Sequence, residues 1–325
     1  MLYPDFKNYV RERGLVSEGD GLILAVSGGV DSMTMMDLVL RFAKAMKLRP
    51  AIAHVNHGLR GAASQADEEL VRHAAETSKV PFLLKRQGPA GGENLQDSAR
   101  RIRSRFLRRA AAEQGARSVL LAHNRGDQAE TVLMHMLRGA GLDGLVGMRP
   151  ASQDGDIRTV RPLLFASREE IAAYARERGI QHREDETNLT LKYRRNEVRH
   201  RLMPLLEEIN PKAEQAIASM AERLAGESEA LDLLARACFH DVLDDASDGR
   251  VVMRVGSYAE FPKAIRTRIL RTAWRRASGS AADLNSDQIR RIDDIATGGR
   301  GEGSYRLKAP FSFVRSANRM EISSS

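Results

Sequence analysis

Through the first half of the chain, short apolar runs alternate with longer stretches whose apolar positions recur every three or four residues. Residues 22–26, 51–55, 81–84 and 118–122 read as buried strands. Residues 32–45 (with Met33, Met36 and Leu40), 65–77, 95–113 and 128–137 carry the helical period between and after them. Such β-α alternation predicts an open parallel sheet with helices on both faces. Ligands of such sheets sit just beyond the carboxyl ends of strands.

Past Met148-Arg149-Pro150 a polar, turn-rich stretch through Asp156 suggests a hairpin or loop. Ser167 is placed to cap a helix running to about Arg178, with Glu169 and Glu170 in its first turn. From about Pro211 a long helical pattern runs to Leu243 and reads as the bridge to a second domain. Further helices are expected over 262–277 and 286–296, then short strand-like runs over 304–322. Two domains follow, 1–210 and 211–325, the second smaller and mainly helical.

Composition narrows the setting. One cysteine, Cys238, excludes a disulfide within the chain and fits a reducing cytoplasm. No apolar run approaches a membrane span, and residues 1–14 are too charged for a signal peptide. Lys and Arg number 51 against 43 acidic residues, for a net charge of +8. Most of the bases are arginines, whose planar fork suits phosphate, so a polyanion such as RNA is the expected partner. A homodimer is the ordinary expectation for a soluble assembly.

Ser27-Gly28-Gly29-Val30-Asp31-Ser32 joins the first strand to the first helix of this alternation. Two glycines let the backbone turn tightly and bring its N–H groups to an anion. The helix N-terminus adds unpaired donors, the serines add hydroxyls, and Asp31 can hold Mg²⁺ or a bridging water. The Gly-Lys-Ser/Thr ending of a Walker loop is absent. After the fourth strand come His123, Asp127 and Glu130; the two carboxylates, three apart at a helix start, share a face. They could bind an ammonium, coordinate Mg²⁺ or accept a proton. His54 and His57 follow the second strand without a third metal ligand, so nucleotide or RNA contact suits them better than zinc. Arg195 and Arg199, four apart, suggest phosphate contacts.

The Ser27–Ser32 loop resembles the S-G-G-x-D-S pattern of the N-type ATP pyrophosphatases, or PP-loop superfamily. The resemblance implies an adenine nucleotide α-hydrolase-like, Rossmann-like domain, ATP as co-substrate, and adenylylation with pyrophosphate held by the loop. Further strings match in order: His54-Val55-Asn56-His57-Gly58-Leu59-Arg60, Arg100 and Arg103 within 94–107, Leu121-Ala122-His123, Asp127-Gln128-Ala129-Glu130-Thr131, and Arg138 to Leu145. Arg161-Pro162-Leu163, Asp185-Glu186-Thr187-Asn188 and Arg195-Asn196-Glu197-Val198-Arg199 complete them. Together they resemble the tRNA(Ile)-lysidine synthase family over residues 22–204.

That resemblance implies that ATP adenylylates C2 of the wobble cytidine in tRNA(Ile) with a CAU anticodon. Free L-lysine then displaces AMP to give lysidine. It implies nucleotide contacts at Ser27, Gly28, Gly29, Val30, Asp31, Ser32, His54, His57 and Arg100. Catalytic roles fall to Asp31, Arg103, His123, Asp127 and Glu130, and metal contacts to Asp31 and Asp127. The family usually has a second histidine where this chain has Asn124, an aspartate where it has Gly126, and often a tyrosine where it has Ser104. Sulfur-inserting relatives need cysteines that this chain lacks, and amidotransferase-linked synthetases need a glutaminase cysteine. A non-catalytic RNA-binding protein with a decayed nucleotide site is the reading from another class, against which the intact loop speaks.

Overall fold

The computed structural model describes residues 1–58, 61–88, 95–183, 194–279, 284–298 and 302–324. The strings Leu59-Arg60 and Asp185-Glu186-Thr187-Asn188, together with Asn94, lie outside these residues. The chain forms two compact units, Met1–Glu222 and Arg223–Ser325.

The first unit runs α1 (Leu2–Glu12), β1 (Gly21–Ala25), α2 (Val30–Met46), β2 (Arg49–Asn56), α3 (Ala62–Ser78), β3 (Phe82–Arg86) and α4 (Leu95–Glu113). It continues with β4 (Ser118–Leu120), α5 (Arg125–Met136), α6 (Leu142–Leu145), β5 (Ala151–Asp154), β6 (Ile157–Val160), α7 (Arg168–Arg178) and α8 (Arg194–Glu197). A π-helical turn, Val198–Leu202, leads to α9 (Met203–Ile209), and α10 (Ala213–Val242) carries the chain into the second unit. The expected boundary after residue 210 falls just before α10, whereas the units part within it.

Six strands pair in the order β3-β2-β1-β4-β6-β5. All neighbours are parallel except β5, which forms an antiparallel edge hairpin with β6. Both faces are covered, so the strands read as nearly continuous apolar runs. Leu22, Leu24 and Ile52 pack into a core with α1, α2 and α7, whereas Ile23, Ala51 and Ala53 point to the opposite face, against Leu107, Ala110 and Ala111 of α4. Strand order reverses at β1: β2 and β3 lie to one side of it and β4 to the other. The loops after β1 and β4 therefore open at the switch point, where such sheets bind ligands.

The second unit contains β7 (Leu243–Ser247), β8 (Arg250–Arg254), α11 (Val255–Ala259), α12 (Lys263–Ser278), α13 (Ser286–Thr297), β9 (Glu302–Arg306), β10 (Phe311–Ser316) and β11 (Arg319–Ser324). Alongside its helices it has a five-stranded antiparallel sheet in the order β7-β8-β11-β10-β9. Trp274, Tyr258 and Phe313 anchor its core. Cys238 is buried there as a small apolar filler.

Candidate active site

The loop after β1 is built around two serines. Ser32 Oγ donates to Gly29 O at 2.9 Å and accepts from the Ser27 N–H at 3.1 Å, while the two hydroxyl oxygens lie 3.1 Å apart. Gly28 has φ +97°, a conformation costly for any residue with a Cβ, and one added there would lie 3.5 Å from Asp67 Cβ. Gly29 is the N-cap of α2 and supplies no side-chain acceptor, so the first N–H groups of that helix carry no side-chain cap. Behind the loop, Arg183 donates its N–H to Gly28 O at 3.0 Å and pairs with Asp67 at 2.9 Å.

The loop after β4 reaches Asp31 through Asn124, whose Nδ2 donates to Asp31 Oδ2 at 3.2 Å. Asn124 also caps α5: its Oδ1 accepts from Asp127 N at 2.9 Å, and its own N–H donates to Asp127 Oδ2 at 3.1 Å. The residue that stands where the family has histidine thus forms the hinge between the two loops. Gly126 is also locally matched, since a Cβ there would lie 3.0 Å from Glu214 Oε2, a carboxylate held by Arg125 at 2.9 Å.

Asp31 Oδ1 is buried with no hydrogen-bond partner. Burial first, then the nearby Asp127 charge, raises the Asp31 pKa to about 6, against the opposing pull of Arg168 and Arg199. Asp127 and Glu130 are both buried and both gripped by arginine. Asp127 Oδ1 accepts from Arg195 at 3.0 Å, Arg199 at 3.2 Å and Arg168 at 3.4 Å. Glu130 accepts from Arg195 Nε at 2.8 Å and from Arg199 Nε at 2.5 Å. Arg195 and Arg199, expected to face phosphate, bind these carboxylates instead. Arg168, at the first position of α7, is a site residue the sequence reading missed; only its position after the cap Ser167 marked it.

His123 lies one residue before this hinge. Its Nδ1 is buried without a partner, and burial, reinforced by Arg161, Arg103 and Arg195 against the pull of Asp127, lowers its pKa to about 4. The imidazole is therefore neutral at pH 7. Arg103 is reached by solvent yet walled by protein, and that enclosure, with the charges of Arg100 and Arg195, lowers its pKa.

His54 and His57 take different places. His54 is 3% exposed and its Nδ1 lies 2.8 Å from Val26 O, so that nitrogen carries the proton and the ring packs beneath the loop. His57 is half-buried, with Nδ1 3.1 Å from Gln87 O. It lines a cleft of about 460 Å³ with Asn56, Gln65, Glu68 and Arg86. Glu68 was not anticipated; it accepts from Arg86 at 2.9 and 2.6 Å, Arg72 at 2.9 Å and Asn56 at 3.0 Å. These donors, Arg86 foremost, hold its carboxyl at a pKa of about 2.

Residues 4–206 match the PP-loop domain family, which is the class that the switch-point loop defines. A tRNA(Ile)-lysidine synthase from Geobacter sulfurreducens is 36% identical over 95% of this chain and 66% of its own length. One from Symbiobacterium thermophilum is 38% identical over 94% and 65%, and one from Dehalococcoides mccartyi 32% identical over 97% and 68%. The chain belongs to the tRNA(Ile)-lysidine synthase family. It spans about two thirds of the length of these relatives. In fold alone, it resembles the U34-tRNA thiolase NcsA from Methanococcus maripaludis, with a TM-score of 0.57 at 20% identity over 68% of this chain and 78% of that one.

Proposed function

We propose that the protein joins lysine to C2 of the wobble cytidine of tRNA(Ile) with a CAU anticodon, through an adenylylated tRNA, releasing AMP and pyrophosphate. The observation that carries this reading is the meeting, at one switch point, of the glycine-serine loop after β1 with a partly buried cluster of opposite charges. In this reading Ser27–Ser32 hold the pyrophosphate of ATP by backbone N–H groups and hydroxyls. The cytidine oxygen is a poor leaving group until it carries AMP.

Among the described residues no group of three His, Cys, Asp or Glu side chains is arranged to hold a metal alone. The unpartnered Oδ1 of Asp31 nevertheless suits Mg²⁺ whose remaining ligands are phosphate oxygens and water. Bound there, Mg²⁺ would neutralise charge on the phosphates. Asp127 fits this task less well, because its Oδ1 already faces three guanidinium groups.

Asp127 and Glu130, with Arg168, Arg195 and Arg199, offer both signs of charge to a zwitterionic amino acid. Lysine's ammonium would exchange into the carboxylates and its carboxylate onto an arginine. The nearby guanidinium groups and the shelter from water also favour the neutral amine that must attack. His123, with a pKa of about 4, is too weak a base to take that proton and serves as a neutral hydrogen-bonding group. The proposed setting is the cytoplasm, and no described helix is long and apolar enough to cross a membrane.

The test is ATP-dependent incorporation of labelled lysine into tRNA(Ile) with a CAU anticodon. Incorporation is expected with cytidine at the wobble position and none with uridine there. No incorporation, or equal labelling of the two RNAs, overturns the reading.

A further inference from the structure

The Ser27–Ser32 loop is held from behind by two residues with no part in the chemistry above. Gly28 lies against α3: a Cβ there would meet Asp67 Cβ at 3.5 Å and Val71 Cγ2 at 3.6 Å. Asp67 is 6% exposed, and its carboxylate pairs with Arg183 Nε at 2.9 Å. Arg183 follows α7, and its backbone N–H donates to Gly28 O at 3.0 Å. One ion pair thus anchors the residue whose main chain ties down the loop. In a trans peptide the C=O and the N–H lie on opposite edges. The Gly28–Gly29 peptide is trans, so tying Gly28 O to Arg183 turns the Gly29 N–H the other way. The Val26–Ser27 peptide shows the same division: Val26 O faces His54 Nδ1 at 2.8 Å, while the Ser27 N–H on its other edge donates to Ser32 Oγ at 3.1 Å. Glycine on both sides leaves the Gly28–Gly29 peptide easier to rotate than one flanked by side chains. Released from Arg183, it can flip and aim a carbonyl where an N–H had been.

We infer that Asp67 and Arg183 are positioning residues for pyrophosphate: their ion pair keeps the Gly28–Gly29 peptide turned so that the Gly29 N–H, and not the Gly28 carbonyl, faces the anion. That role rests on the function proposed above, in which this loop holds the pyrophosphate of ATP. Neither side chain needs to touch the nucleotide, because the pair acts through the main chain of Arg183.

Affinities of the full chain for pyrophosphate and, separately, for an anticodon stem-loop RNA test it, with Asp67→Ala, Arg183→Met, the two together, and Arg183→Lys as variants. The Arg183 side chain is 46% exposed, so replacing it leaves the core packed, and thermal melting checks that each variant is folded. If Asp67→Ala does not fold, the Arg183 variants decide the matter alone. Loss of one N–H contact to a charged oxygen corresponds to about a ten- to hundredfold weaker Kd. Asp67→Ala and Arg183→Met should each weaken pyrophosphate binding by that factor while RNA binding holds. The double variant should bind no worse than the weaker single one, because both changes release the same tie. Arg183→Lys keeps the charge and should recover most of the affinity. Unchanged pyrophosphate binding in folded Arg183→Met overturns the role. So does an additive loss in the double variant, a lysine variant no better than methionine, or an equal loss of RNA binding. A parent protein that does not bind pyrophosphate overturns the phosphate-loop reading itself.

Discussion

Asp31 shows how a single carboxylate can be costly to the fold and still be retained at the proposed ATP site. Its pKa rises from an ordinary 3.8 to about 6, so the folded protein binds more protons than the unfolded chain between those values. Stability therefore declines as pH rises through that window, and at pH 7 the ionised carboxylate is a net burden. At about 1.4 kcal/mol per pKa unit, the burden is at most about 3 kcal/mol. Asp31→Asn is expected to raise the melting temperature at pH 7, and the gain should all but vanish near pH 3, where both states are mostly protonated. The same variant should lose ATP-to-pyrophosphate turnover. Paired thermal melts at the two pH values check the first point. An equal gain at both would mean that charge is not the cause.

Glu68 behaves in the opposite sense and joins elements rather than substrates. From α3 it ties Asn56 at the end of β2 to Arg86 at the end of β3, holding the carboxyl edge of the sheet on the side of the His57 cleft. Its folded pKa of about 2 lies below the ordinary 4.5, so its contribution is complete above pH 4.5 and fades as pH falls towards 2. Because Arg86 is largely in solvent and Arg72 partly so, Glu68→Gln should cost only about 1 to 2 kcal/mol at neutral pH. Denaturant titrations at pH 7 and pH 3 should show the difference shrinking at the lower value; a constant difference would assign the loss to packing. The β-α alternation and the capping residue Ser167 were legible because both are local patterns. Helix α1 carried its signal too, in Leu2, Phe6 and Val10 four residues apart, but charged neighbours masked it. The partners of Asp127 and Glu130 were not legible: Arg168 and Arg195 come from distant segments, and only the folded chain shows that they meet two carboxylates. Asn124 illustrates the same limit, since its departure from the family pattern gave no hint that it would cap α5 and reach Asp31 at once.

A net charge of +8 suggests a broad polyanion footprint, but many of the arginines are already engaged within the protein. Arg86 and Arg72 hold Glu68; Arg168, Arg195 and Arg199 hold Asp127 and Glu130; Arg125 holds Glu214. In the second unit, Arg266 holds the buried Asp293, which also accepts from Tyr258 at 2.7 Å, and Arg268 pairs with Asp232. A guanidinium held by a buried carboxylate cannot neutralise a phosphate without breaking that pair, so the RNA footprint should be set by the remainder. The dependence of tRNA affinity on salt should therefore be steep but sit near the lower end of the usual range. With about six phosphates neutralised, affinity should fall roughly 10³-fold between 50 and 200 mM salt. Filter binding across that range measures the slope. A flat response would reduce the positive surface to a solvated face, whereas a much steeper one would mean that the internal pairs open when RNA binds. Arg168→Ala separates these cases: if the pairs stay closed it leaves the slope unchanged, and if they open it lowers the slope by about one.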